Sequence, residues 1–258
     1  MSERRNWTRE ELLVALKIYC ELEFGQFHSR NPRIIEVAER IHRTSGSLAM
    51  KLCNFSSLDP AMQGKGLKGA SKADSVIIGE FLESPEKMIL ESEHAYENLI
   101  LNEGYKGLSE PPAEPFIFDF ENVGETERVA QVKIRTVQHF FRLTVISSYC
   151  NKCAICSLTT DTLLIASHII PWSRKVESRA DPTNGISLCA LHDKAFDNGF
   201  ISVNRSYKMI ISPHIAQRKE RVFEDMFYRF DGKEIHLPFR FTPNSDYLEW
   251  HQENIYHQ

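Results

Sequence analysis

Apolar residues recur with helical period from the first turns of the chain. Leu12, Leu13, Ala15, Leu16 and Tyr19 follow Trp7-Thr-Arg-Glu-Glu11, where Thr8 and Glu11 have the spacing of a capping box. Asn31-Pro32 opens a second helix with Ile34, Ile35, Val37, Ala38 and Ile41 on its apolar face. Thr44-Ser-Gly-Ser47 reads as a short turn, after which Leu48 to Phe55 resumes the period. Helix, Gly-containing turn, helix is a helix-turn-helix-like layout. Further helices are expected over Ala73–Leu82, over Pro85–Leu101, and from Arg128 to Tyr149. Beyond that the period changes. Thr162–Ala166 and Ile186–Leu188 are short β-compatible runs, Leu191–Phe196 is helical, and Ile201–Val203 with Lys208–Ile211 suggests a closing hairpin. Leu237-Pro238 and Tyr247–His251 are expected to pack back as a strand and a short helix. The fold class is therefore α+β, with an all-helical N-terminal domain.

Leu108–Glu127 has three prolines and six acids without Lys or Arg, and is read as an extended linker. The expected organisation is a helical domain over 1–105, an acidic Pro-rich linker over 106–127, and a second domain over 128–258. At 258 residues and 42% apolar composition the chain can bury a real core. The sequence has no apolar run of membrane-spanning length and no signal-peptide pattern, so a cytoplasmic protein without a membrane partner is expected.

Net charge is −4, so nucleic-acid binding would have to use local patches. One such patch is present. Between Arg30 and Lys72 stand eight Lys/Arg against three acids, coinciding with the helix-turn-helix-like element. Counterion release from phosphates is one use of it, and solvated helix faces are the other. As a reader of double-stranded DNA, the element would use Ser45, Ser47 and Lys51 near the start of its second helix, with Arg43, Lys65 and Lys68 on phosphates. In the second domain, Arg142 is a further phosphate candidate.

The chemistry concentrates in Cys150–Gly199. Cys153/Cys156 and Cys189/His192 are two pairs with a two-residue gap, the spacing of half-sites in a closed tetrahedral zinc site. The alternative is that these cysteines are small buried apolar residues. Between the pairs lie Ser167-His168-Ile-Ile-Pro-Trp172 and Asn184-Gly185, the latter a tight-turn signal. Leu191-His-Asp193, Phe196-Asp197 and Gly199 follow.

This segment, over about residues 128–212, resembles the HNH endonuclease family, whose nuclease motif is a ββα-metal hairpin and helix. The resemblance implies His168, Asn184 and Asp193 at the signature positions. His168 would be the general base, Asn184 would shape the loop around it, and Asp193 would bind a catalytic Mg²⁺ or Mn²⁺. Ser167 stands where many relatives have a second metal ligand, and Asp197, four residues after Asp193, is a candidate to compensate. The zinc at Cys153, Cys156, Cys189 and His192 would be structural.

The N-terminal motifs, from Asn6-Trp-Thr-Arg-Glu-Glu11 to Leu58-Asp-Pro60, resemble a helical domain fused to bacterial HNH nucleases of modification-dependent restriction type. That implies a prokaryotic restriction enzyme acting on double-stranded DNA that is methylated or otherwise modified, with a homodimer as one expectation. The competing reading is a non-catalytic zinc-ribbon DNA-binding protein or regulator.

Overall fold

A computed structural model describes residues 5–62, 65–67, 69–101 and 125–257. The described residues fall into two compact units. The first lies within Met1–Tyr19, Phe24–Leu58 and Lys65–His139, and the second within Cys20–Glu23, Asp59–Gly64 and Phe140–Gln258. The acidic segment expected as a linker lies outside the described residues up to position 124. Positions 125–127 already belong to a helix.

The first unit is helical: α1 (Arg9–Glu21), α2 (Pro32–Arg40), α3 (Ser45–Leu58), α4 (Lys72–Glu83) and α5 (Pro85–Tyr96), the last continued by a π-helical turn over Glu97–Leu101. The starts of these helices follow from their caps. The Thr8 and Glu11 side chains exchange hydrogen bonds with each other's backbone N–H at 3.2 and 3.0 Å. Asn31 accepts from Arg33 N and Ile34 N ahead of Pro32. Ser71 and Asp74 form a full capping box on α4. Leu16, Ile18, Ile34, Val37, Leu48, Leu52, Phe55, Ile77 and Phe81 are buried in this unit.

The turn between α2 and α3 is displaced from the sequence expectation. Thr44 Oγ1 accepts from Ser47 N at 3.1 Å, so Thr44 ends the turn and Ser45-Gly-Ser47 is already the first turn of α3. The reversal sits instead at Ile41–Arg43, where His42 takes a positive φ of 52°. Thr44 wins because its hydroxyl satisfies an N–H that the helix start would leave orphaned.

The second unit contains the C-terminal part of α6 (Glu125–Ser148), the antiparallel hairpin β1 (Leu164–His168) and β2 (Gly185–Cys189), then α7 (Ala190–Asp197). It continues with a second hairpin, β3 (Ile201–Val203) and β4 (Met209–Ile211), and with α8 (Arg221–Met226) and α9 (Ser245–Asn254). In the β1–β2 register Leu164 faces Cys189 and His168 faces Gly185. Phe141, Val145, Ile186, Leu188, Phe196 and Leu248 are buried in one cluster beneath the hairpin and helices. No strand forms at Leu237-Pro238 among the described residues. Proline removes a ladder donor there, and the nearest pairing is a single bridge between Lys208 and Glu234.

The tail is locked onto α7. Gly199 has φ +68°, and a Cβ there would collide with the Ile255 carbonyl, so glycine is required both by conformation and by close approach. His251 is buried, stacked on Phe196 with centroids 3.7 Å apart. Its Nε2 donates to Phe196 O at 3.2 Å, which leaves Nδ1 to accept from Ser202 Oγ at 2.9 Å. Burial pushes its pKa down to about 4 from 6.5. The folded state thus refuses a proton that the unfolded chain accepts, so stability is full above about pH 6.5 and declines as pH falls to 4. This one group should remove roughly 3 kcal/mol over that window. Denaturant titrations at pH 7 and 4.5 should show a smaller pH-dependent loss in His251→Gln than in the wild type. Equal losses would contradict the assignment.

Candidate active site and metal centre

The metal centre is assembled by the hairpin itself. Cys153 and Cys156 lie in the turn region before β1, Cys189 ends β2, and His192 is on the first turn of α7. Their four ligand atoms lie within 4.8 Å of one another. Individual separations are 3.9 Å for Cys156 Sγ–Cys189 Sγ, 3.2 Å for Cys189 Sγ–His192 Nδ1 and 3.6 Å for Cys153 Sγ–His192 Nδ1. A tetrahedron with metal–sulfur bonds of about 2.3 Å has edges of roughly 3.8 Å, close to these three separations, so the set could hold zinc.

His192 is already aimed. Its Nε2 donates to Met226 O at 2.6 Å, fixing the tautomer that turns Nδ1 to the thiols. Hydrogen bonds from the Cys153 and Cys156 thiols hold the Cys189 thiol far below its ordinary pKa, while the same sharing pushes Cys153 up. Cys150 is exposed, at a positive φ of 53°, and outside this group.

His168 ends β1, half-buried. Its ring stacks on Phe141 of α6, centroids 3.8 Å apart, and meets the edge of Trp172 at 5.7 Å. The stacking depends on Gly185, the cross-strand partner of His168. A Cβ at Gly185 would overlap Val145 and come within 2.9 Å of Phe141 Cζ. Asn184-Gly185 is therefore not a left-handed hairpin turn, as the dipeptide suggests. Gly185 has an extended φ of −123°, and the turn is the 3₁₀ segment Pro182–Asn184 before it. Glycine is needed here for helix approach rather than for backbone conformation.

Asn184 is fully buried, and every hydrogen bond of its amide goes to the loop. Oδ1 accepts from Ile170 N at 2.8 Å, and Nδ2 donates to Ile170 O and Ser178 O, both at 3.1 Å. Those bonds tie the residues following His168 to the far end of the loop. There Arg179 O accepts from His168 Nε2 at 3.0 Å. A carbonyl can only accept, so the proton of neutral His168 sits on Nε2 and Nδ1 carries the free lone pair. Burial lowers the His168 pKa, favouring that neutral form.

Asp193 and Asp197 lie one turn apart on α7. The Asp193 carboxyl is pushed up to about 6 by burial and by the charge of Asp197, while the Ser167 hydroxyl opposes the rise. Ser167 Oγ is itself buried without a conventional hydrogen-bond partner among the described residues. Ser167 precedes His168 in β1 and is close enough to Asp193 on α7 to influence its carboxyl. These are oxygen donors, a set suited to Mg²⁺ or Mn²⁺ rather than to a softer ion.

The residues expected to touch DNA fare differently. Lys51 is 6% exposed and its ammonium pairs with buried Asp74 at 2.7 Å, the carboxylate that also caps α4. Arg43 pairs with Glu11 at 2.8 Å, donates to Arg5 O and Asn6 O, and lies over the Trp7 ring. Both cations are engaged by carboxylates inside the unit, which argues against the expected role as phosphate contacts. Arg33 and Arg40 pair with Glu36, so four of the eight cations of this stretch are paired inside the unit. Arg142 donates to Leu164 O at 2.7 Å and to Asp161 O, bracing the start of β1. Ser45 and Ser47 are half-buried on the first turn of α3; Lys65 is exposed near Phe24; Lys68 lies outside the described residues.

Residues 153–204 match the family model HNH_2, an HNH endonuclease. The match supports an HNH endonuclease domain. At that level it supports a nuclease hydrolase acting on DNA, and it spans about a fifth of the chain, from the first zinc-site cysteine to the end of β3. No curated protein matches the chain. Among the described residues, no helix is long and apolar enough to cross a membrane.

Sequence reasoning missed the partners of the HNH side chains. Met226 O and Arg179 O are backbone atoms of distant loops and leave no signal in residue type. Phe141 was visible only as part of an aromatic stretch of α6.

Metal analysis should find about one zinc per chain. Cys189→Ser should lose it and unfold the second unit, since structural zinc contributes on the order of 10 kcal/mol of folding free energy. A folded Cys189→Ser protein with wild-type melting would refute the centre.

Proposed function

We propose that this protein is a metal-dependent DNA endonuclease that hydrolyses phosphodiester bonds at the HNH hairpin, with His168 as general base. The observation that carries the reading is the tautomer of His168, with Nε2 engaged by Arg179 O and Nδ1 without a hydrogen-bond partner among the described residues. A neutral imidazole so held takes a proton from an attacking water at Nδ1. Phe141 fixes the ring plane, and Asn184 fixes the loop that carries Arg179 O. Asp193, with Asp197 one turn further along α7, would hold Mg²⁺ or Mn²⁺, which when bound would neutralise charge on the phosphate. Zinc at Cys153, Cys156, Cys189 and His192 is structural in this reading, because four protein ligands leave no open position.

The wider assignment is a prokaryotic, cytoplasmic restriction-type enzyme that recognises modified double-stranded DNA. Residues 1–105 select the site, 106–127 link, and 128–258 cut. With Lys51 and Arg43 committed internally, the selecting surface in this reading is the start of α3 at Ser45 and Ser47, with the exposed Lys65 a further phosphate candidate. Cutting both strands with one centre per chain favours a homodimer on the duplex.

With plasmids from methylating and non-methylating hosts and Mg²⁺ or Mn²⁺, the wild type should cleave one class preferentially. His168→Ala should lower cleavage by roughly 10²- to 10⁴-fold while keeping zinc and DNA affinity. DNA binding without cleavage by the wild type would instead favour the zinc-ribbon regulator.

A further inference from the structure

The loop that steadies His168 also carries an uncommitted cation. Arg179 gives its carbonyl oxygen to His168 and donates from Nε to Trp172 O at 2.8 Å. Its guanidinium carbon lies 5.1 Å from the Trp172 ring centroid, and Trp172 in turn meets the His168 ring edge-on. Among the described residues, Nη1 and Nη2 have neither a hydrogen bond nor an ion pair, in a protein where Arg33, Arg40 and Arg43 are all paired with acids. Arg174 and Lys175 are exposed on the same loop and form no ion pair among the described residues; the Lys175 ammonium lies 5.2 Å from the Tyr247 ring centroid. Nε anchoring and stacking remove most of the side chain's freedom in advance, so little ordering entropy remains to be lost on binding an anion. A half-buried guanidinium with its fork open, one residue contact from the general base, is arranged for a bidentate oxyanion.

We propose that Arg179 is a catalytic phosphate clamp, its Nη1 and Nη2 binding the non-bridging oxygens of the scissile phosphodiester while its carbonyl orients His168. The proposal rests on the nuclease reading above and adds a substrate-touching residue to it. In the step it serves, a water oxygen bonds to phosphorus as one bridging P–O bond breaks. The water's proton passes to His168 Nδ1, and the departing oxygen takes a proton from solvent. The charge that gathers on the non-bridging oxygens faces the guanidinium fork. Holding both the base and the phosphate from one residue keeps the attacking water and phosphorus in fixed register. Arg174 and Lys175 extend the same positive edge towards neighbouring phosphates.

The test uses the full chain. Arg179→Gln keeps a backbone carbonyl at position 179 and should lose about 10²- to 10³-fold in kcat on duplex DNA, with zinc content and melting temperature unchanged. Arg179→Lys should fall between the two. Arg179→Ala should regain activity on addition of millimolar guanidinium, which a purely structural defect would not do. In a His168→Ala background with Ca²⁺, Arg179→Gln should lower the slope of log affinity against log salt by about 0.9, the value of one phosphate. Equal slopes, or wild-type turnover in Arg179→Gln, would overturn the clamp. A lowered slope for Arg179→Gln together with a wild type that cleaves no DNA would leave Arg179 a phosphate contact only and refute the nuclease reading, so the two failures are distinguishable.

Discussion

The site depends on what is missing at Gly185. Opposite His168 in the hairpin, this position carries no side chain, and α6 uses the space to lay Phe141 flat against the imidazole. Any β-carbon there would strike Val145 and Phe141 and push the helix off the hairpin. The ring would lose its stacking surface and the strand end its cover. Interiors close-packed to this degree do not absorb even one added methyl group without displacement. The Asn-Gly pair is thus a composite device: the asparagine ties the loop together through its amide, and the glycine admits the helix.

Around that contact the second unit is arranged as a chain of fixed tautomers. Met226 O sets His192 so that Nδ1 joins the cysteines, and Arg179 O sets His168 so that Nδ1 is left free. Phe196 O sets His251 so that the ring is a neutral structural block. The same physics, a carbonyl that can only accept, yields a metal ligand, a base and a packing residue. What differs is the other nitrogen: it meets thiols in His192 and the Ser202 hydroxyl in His251, and in His168 it has no hydrogen-bond partner among the described residues.

Much of this was legible in the sequence where residue type alone carries the constraint. Paired two-residue gaps forecast the Cys153, Cys156, Cys189 and His192 cluster, because tetrahedral coordination restricts spacing. Short β-compatible runs and helical period forecast β1, β2 and α7 to within two residues. The Thr8–Glu11 box was readable because capping is local. What could not be read were the long-range electrostatics. Lys51 and Arg43 look like DNA contacts in a charge count, and only the fold brings Asp74 and Glu11 to them. Ser167 was noted as an unusual residue before the histidine, but its orientation towards Asp193 is a tertiary fact. The turn before α3 was misplaced because Ser-Gly-Ser reads as a loop until Thr44 is seen to cap it.

The central claim is that the hairpin presents a neutral His168 with its proton on Nε2 and a bare Nδ1. Imidazole ¹⁵N chemical shifts in histidine-labelled, zinc-loaded protein measure that directly, with the His168 signals assigned by their loss in His168→Gln. At pH 7 the account predicts a protonated Nε2 and an unprotonated Nδ1, persisting to a pH below the ordinary histidine value of 6.5. A proton on Nδ1, or an imidazolium at pH 7, would contradict it.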